Sequence, residues 1–137
     1  MVDSEWWTLE DVYDRLPNFD SGEFISDMSP DVKERVGKCH AYLADIIAKK
    51  NVTLYGVNTG FGALANTRIP KDKLSELQYK ILISHACGVG EDVPDFIVRM
   101  MLLLKAKALG QGHSAVNPLT IERLLDFLDN DVIPIVP

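Results

Sequence analysis

The chain has 137 residues and a formal net charge of −6, with 47% hydrophobic and 25% charged side chains. This balance is typical of one globular domain and excludes a wholly disordered, collagen-like or coiled-coil chain. Nucleic acid is not an expected partner, because its recognition requires a basic face and the Lys and Arg residues form no block.

The N-terminus and the cysteines favour a cytoplasmic location. Residues 1–5 are acidic, whereas a secretory signal begins with basic residues. Met100 to Leu104 is the longest apolar run, far shorter than the ~20 residues of a membrane-spanning helix. Cys39 and Cys87 are expected to be reduced thiols. We therefore expect no membrane partner.

The N-terminal third of the chain is predicted to be helical, with one irregular connection. Thr8 can cap a short helix through its hydroxyl, whereas residues 19–28 are predicted to be irregular. Ser29-Pro30 then indicates the start of a long helix that ends near Lys49. Its apolar residues recur at steps of three and four: Val32, Val36, Cys39, Leu43, Ile46 and Ile47. Cys39 is therefore expected in the core.

The rest of the chain is also predicted to be mainly α. A short strand is expected over residues 52–57, within a strand and glycine-loop segment around 52–66. Three further helices are predicted to begin near Lys71, at Pro94 and at Asn117-Pro118. The helix from Pro94 is apolar around most of its circumference, so we expect it to be buried between other elements. Residues 132–137 are extended and apolar, which is rare at the end of a complete domain.

Two motifs that could bind a cofactor or a metal are weak. Residues 60–65 match G-x-G-x-x-A, but that motif requires a helix starting at Gly62, and residues 66–70 leave no room for one. We expect instead a loop whose backbone closely approaches a ligand or another chain. His85 and Cys87 are two residues apart and would point to different sides of a helix, so no metal site is expected.

Tyr55 stands directly before the glycine-rich loop. A tyrosine can act as a general acid or base where its surroundings favour the ionised form. On composition alone, however, a packing role in the core is the more common one, and the residue type does not decide between the two.

Four blocks of sequence together resemble the amino-acid ammonia-lyase and aminomutase family. The resemblance runs from about Leu54 to Pro137 and extends more loosely to the first helices. The blocks are Tyr55-Gly56-Val57-Asn58-Thr59-Gly60-Phe61-Gly62 with Leu77-Gln78, Ser84-His85-Ala86-Cys87-Gly88-Val89-Gly90, Val98-Arg99-Met100-Met101-Leu102-Leu103-Leu104 and Gly112-His113-Ser114. An eight-residue run followed by further blocks in the right order is a specific signal.

The resemblance implies the non-oxidative elimination of ammonia from an L-amino acid. The family's electrophile is 4-methylidene-imidazol-5-one, which forms from an internal Ala-Ser-Gly tripeptide. The 137 residues contain no such tripeptide, and the family's chains are several times longer. We therefore expect residues 1–137 to be the N-terminal portion of a largely helical ammonia-lyase domain, with the remainder on a following segment or a separate chain.

The resemblance also implies roles for individual residues. Tyr55 matches the family's catalytic tyrosine, which exchanges the substrate's β-proton, and Gly62 matches a backbone position that lines the substrate. Ser84 and His85 match the pair that distinguishes substrates. Phenylalanine enzymes tend to carry an aromatic residue and Leu there, and Ser-His is the histidine-type pair. The implied reaction is L-histidine to urocanate, with no metal.

Two alternatives remain open on the sequence. One is a non-catalytic fragment or partner subunit of the same fold, which the missing tripeptide favours. The other is an aminomutase or a lyase for another amino acid. In either case the family implies a homotetramer in which each active site draws on more than one subunit, with a small amino acid as the ligand of the catalytic members.

Overall fold

The computed structural model describes residues 2–3, 5–21, 27–49 and 52–137. It confirms a mainly α-helical chain. The six α-helices in the described part are α1 (Leu9–Tyr13), α2 (Leu16–Ser21), α3 (Pro30–Lys49), α4 (Leu74–His85), α5 (Asp95–Gly110) and α6 (Pro118–Asp129). The chain divides into two compact units, residues 1–45 with 91–137 and residues 46–90.

The helix boundaries follow the local signals in the sequence. Thr8 and Asp11 form a reciprocal capping box at the start of α1. The carbonyl of Ser29 accepts the N–H of Lys33 at 3.0 Å, which begins α3. The side chain of Asn117 accepts the N–H of Leu119 at 3.1 Å at the start of α6. These starts were therefore predicted correctly.

Two predicted segments differ from the structure. Residues 52–57 form no strand: residues 52–54 are irregular and residues 55–57 form a turn. The connection expected over residues 19–28 is helical up to Ser21, because α2 extends to that residue; residues 22–26 lie outside the described part.

The first unit carries the hydrophobic core. Its α5 packs against α2 and α6. The buried core residues are Val2, Phe19, Met28, Val32, Val36, Leu103, Ala106, Ile121, Leu125 and Leu128. Only the first half of the apolar face of α3, with Val32 and Val36, belongs to this core. Cys39 is half-buried, so the expectation that Cys39 lies in the core is wrong.

The N-terminal segment is fixed to this unit by charge and by an aromatic ring. The Lys107 side chain is buried and its ammonium donates to the carboxylate of Asp3. This hydrogen bond holds the pKa of the Asp3 carboxyl below its usual value. The ring of Trp7 lies 4.4 Å from the Arg15 guanidinium and 4.6 Å from the Lys107 ammonium. Trp7 is therefore a packing anchor, whereas Trp6 is exposed.

One side of α5 is uncovered. An apolar groove of about 550 Å³ runs along this helix. The residues that line it are Val98, Met101, Leu102, Leu104, Lys105, Ala108, Leu124, Pro134 and Val136. Met101 is 49% exposed. The expectation that this helix is buried between other elements is therefore wrong on its groove side, although Val98 is buried there.

The second unit contains few buried residues. Among its described residues, 46–49 and 52–90, the buried positions are Asn58, Thr59 and Gly60, in the loop before α4, and no residue of α4 is buried. Tyr79, Leu82 and Ile83 on this helix are exposed. Among the described residues of the chain, no helix combines the length and apolar character needed to cross a membrane.

Candidate active site

Tyr55 lies at the tip of a hydrogen-bonded turn. The N–H groups of Val57 and Asn58 both donate to the carbonyl of Leu54, each at 3.1 Å. The side chain of Tyr55 is 65% exposed, so it does not pack in a core formed by these residues. Its ring contacts Phe61 edge-on, with the ring centroids 5.7 Å apart. The phenol is thus presented on the surface of the loop.

Two polar side chains beneath this turn are buried. Asn58 is 6% exposed and Thr59 is fully buried. Asn58 hydrogen-bonds to backbone groups before Tyr55, and Thr59 hydrogen-bonds to backbone groups after it. Neither residue was predicted from the sequence to have a role of its own. The available signal was the tendency of Asn and Thr side chains to hydrogen-bond nearby backbone in turns.

Gly62 begins a single 3₁₀ turn, Gly62–Leu64. Its φ of +54° favours glycine, and a Cβ built there would meet no atom within 4 Å, so the space beside it is open. A Cβ on Gly60 would lie 2.5 Å from the Cβ of Leu64. We predicted that the backbone of this loop closely approaches a ligand or another chain. At Gly60 it closely approaches Leu64 of its own chain instead. The one short turn does not provide the helix that a dinucleotide motif requires.

Ser84 and His85 lie at the C-terminal end of α4, where both side chains are exposed. The hydroxyl of Ser84 donates to the carbonyl of Ile81 at 2.9 Å. Nδ1 of His85 lies 2.9 Å from the same carbonyl oxygen and 3.0 Å from the Ser84 hydroxyl. Because a carbonyl oxygen only accepts, this geometry has Nδ1–H as the donor, and in that tautomer Nε2 is left as an acceptor.

The candidate residues form two groups within the second unit. Tyr55 and Gly62 share one loop, joined through the ring contact of Tyr55 with Phe61. Ser84 and His85 contact each other at the end of α4. Within the described residues, no cluster of three or more His, Cys, Asp or Glu side chains could hold a metal ion.

The family model for aromatic amino acid lyases matches residues 11–137. The chain belongs to this family. It is 51% identical over 104 residues to a histidine ammonia-lyase of Geobacillus thermodenitrificans, covering 76% of the chain and 20% of that protein. It is 39% identical over 137 residues to a histidine ammonia-lyase of Myxococcus xanthus, covering the whole chain and 26% of that protein.

The structural comparison agrees with the family. A tyrosine aminomutase of Streptomyces globisporus superposes with a TM-score of 0.83 at 31% identity, covering 99% of this chain and 25% of the aminomutase. The chain thus spans about a fifth to a quarter of the length of these relatives. At this family level, the resemblance inferred from the sequence blocks is confirmed.

Proposed function

We propose that this chain supplies part of the active site of an enzyme that eliminates ammonia from L-histidine and yields urocanate. The histidine ammonia-lyases among its relatives support the reaction, and the histidine-type Ser84-His85 pair supports the substrate. Since the chain spans only a fifth to a quarter of these relatives, the complete enzyme comprises this chain and the remaining part of the family's domain. We place it in the cytoplasm, in keeping with the two free cysteines.

The exposed phenol of Tyr55 is the observation that carries the proposal. Elimination requires a base for the weakly acidic β-proton of the substrate and an electrophile that makes the amino group a leaving group. The 4-methylidene-imidazol-5-one group supplies that electrophile. It forms from a tripeptide that these 137 residues lack, so the remaining part of the domain provides it. Tyr55 provides the base, from a turn that leaves its hydroxyl open to a ligand.

His85 selects the substrate in this proposal. Its Nδ1–H donates to the carbonyl of Ile81, so Nε2 is left to accept from the N–H of a substrate imidazole. Phenylalanine offers no such donor, and Nε2 would lose its partner on burial. Gly62 contributes open space beside its backbone where the substrate can lie.

The remaining part of the domain also covers apolar surface of this chain. The groove along α5 has the apolar lining that an amphipathic helix requires. We assign as its occupant an apolar helix from that remaining part, because the relatives have about four to five times the length of this chain. For the complete enzyme we propose a homotetramer, which is the assembly that the family implies.

Product analysis of the complete enzyme tests the reaction. With L-histidine we expect urocanate and ammonia in equal amounts, and much slower turnover of tyrosine and phenylalanine. A β-amino acid product would replace the lyase by an aminomutase, the alternative favoured by the similarity to the tyrosine aminomutase. No turnover of any of the three amino acids would favour a non-catalytic subunit of the same fold.

A further inference from the structure

The loop that carries Tyr55 has an unusual distribution of burial. The aromatic side chain of Tyr55 is 65% exposed, whereas Asn58 and Thr59 are 6% and 0% exposed. Burial of polar side chains costs free energy unless they are hydrogen-bonded, so the bonds they form explain why they are tolerated. In this loop, those bonds are made to the backbone next to Tyr55.

Asn58 fixes the backbone on the N-terminal side of Tyr55. Its Oδ1 accepts the N–H of Leu54 at 2.7 Å, and its Nδ2 donates to the carbonyl of Val52 at 2.8 Å. A single side-chain amide therefore connects two backbone groups on the N-terminal side of Tyr55. Since Asn58 is itself buried, and its own carbonyl accepts the N–H of Ile69 at 2.9 Å, it is a fixed point for that segment.

Thr59 fixes the backbone on the C-terminal side of Tyr55. Its Oγ1 accepts the N–H of Gly56 at 3.2 Å and donates to the carbonyl of Gly60 at 2.9 Å. The residues immediately before and after Tyr55 are thus each fixed by a buried side chain. Fixing both neighbours sets the direction of the Cα–Cβ bond of Tyr55, and the edge-on contact with Phe61 constrains the ring, so that together they place the hydroxyl.

We propose that Asn58 and Thr59 are positioning residues that hold the Tyr55 hydroxyl where it exchanges a proton with the substrate. The inference rests on the proposed role of Tyr55 as the base. Proton transfer requires a heavy-atom separation of about 2.6–3.2 Å, and a displacement of about 1 Å can cost about 10²-fold in rate. Loss of either support allows such a displacement while leaving the ring, and most of the substrate contacts, in place.

Isosteric variants of Thr59 in the complete enzyme test the proposal. Thr59→Val keeps the shape and removes both hydrogen bonds of the hydroxyl, whereas Thr59→Ser keeps the hydroxyl. Thr67→Val makes the same chemical change on an exposed side chain of the same unit and is the matched control. We expect Thr59→Val to lower kcat about 10- to 100-fold with KM changed by less than about threefold. Thr59→Ser and Thr67→Val should stay near the parent.

Amide hydrogen exchange gives a readout independent of turnover. In Thr59→Val the N–H of Gly56 should exchange faster, while the amides of α4 keep their parent rates. Asn58→Asp removes the Nδ2 donor to Val52 and keeps an acceptor for Leu54. Asn58→Asp should therefore also lower kcat. If Thr59→Val does not fold, the kcat of Asn58→Asp tests the positioning role.

The outcomes separate this inference from the proposed function. If Tyr55→Phe abolishes turnover while Thr59→Val and Asn58→Asp keep the parent kcat, Tyr55 is the base but the two residues do not position it. If the fall in apparent kcat of both variants equals their loss of folded protein, so that kcat per folded molecule stays at the parent value, their role is structural. If Tyr55→Phe itself retains activity, the proposed function fails first, and the positioning role fails with it.

Discussion

His85 is the residue at which a structural role and a selective role can be separated by substitution. Its Nδ1–H donates to the Ile81 carbonyl, so one ring nitrogen serves α4 and the other, Nε2, is left for a ligand. The side-chain amide of Asn can reach the Nδ1 position, and that of Gln can reach the Nε2 position. His85→Asn therefore retains the helix contact, and His85→Gln retains the ligand contact.

The two contacts differ in expected magnitude. The bond to Ile81 is made by an exposed side chain, so its loss should change the free energy of unfolding by about 1 kcal/mol or less. A bond from Nε2 to a buried substrate imidazole is worth more, because the unpaired group costs about 1–3 kcal/mol. This corresponds to about 5- to 150-fold in kcat/KM.

The assay compares His85→Leu, His85→Gln and His85→Asn in the complete enzyme with histidine, tyrosine and phenylalanine as substrates. We expect His85→Leu to lower kcat/KM for histidine at least about tenfold while that for an aromatic substrate holds or rises. His85→Gln should retain more activity on histidine than His85→Asn does. Equal losses for all three substrates, or full activity of His85→Asn, would refute the selective role and leave His85 as a support for α4.

Three further predictions concern the chain itself. The isolated 137-residue chain should form no urocanate from histidine, measured by ultraviolet absorbance, because it cannot form the electrophile; robust turnover without a second polypeptide would overturn this. Light scattering at micromolar concentration should give a mass above that of one chain, because the groove along α5 is uncovered. Met101→Lys should reduce this association. A monodisperse monomer for the parent chain would contradict the prediction. Asp3→Asn should destabilise the chain by up to about 1 kcal/mol at neutral pH, because the Asp3 carboxylate is 38% exposed and solvent screens its ion pair with Lys107. Because folding lowers the pKa of Asp3, this stabilisation is complete above the unfolded carboxyl pKa of about 4 and is lost as pH falls through the folded value. Thermal melts of parent and variant should therefore converge near pH 2, and a constant difference in Tm would count against the ion pair.

Local signals in the sequence predicted most of the helices. Ser29-Pro30 and Asn117-Pro118 are start signals whose physics is confined to one turn, and α3 and α6 begin there. The strand over residues 52–57 was wrong because strand propensity alone does not provide a partner strand. In the structure, the Leu54 N–H donates to Asn58 Oδ1 instead. For α5, the apolar pattern predicted a helix buried between other elements, but the side that lines the apolar groove is uncovered in this chain.

The candidate site was predicted less completely. Tyr55, Gly62, Ser84 and His85 were identified by their resemblance to a family pattern, and their roles remain proposals. Asn58 and Thr59 were missed, because a buried polar residue in a loop becomes informative only when the backbone groups it satisfies are known. Those groups, on either side of Tyr55, are visible only in the folded turn.

Turnover by Tyr55→Phe in the complete enzyme tests the central claim most directly. The substitution removes one hydroxyl from an exposed ring and keeps the edge-on contact with Phe61, so the fold and substrate binding should survive. If Tyr55 is the base, kcat for urocanate formation from histidine should fall about 10²–10⁴-fold, with substrate binding nearly unchanged. A fall of less than about tenfold would contradict the claim and make Tyr55 a packing residue of the assembled enzyme.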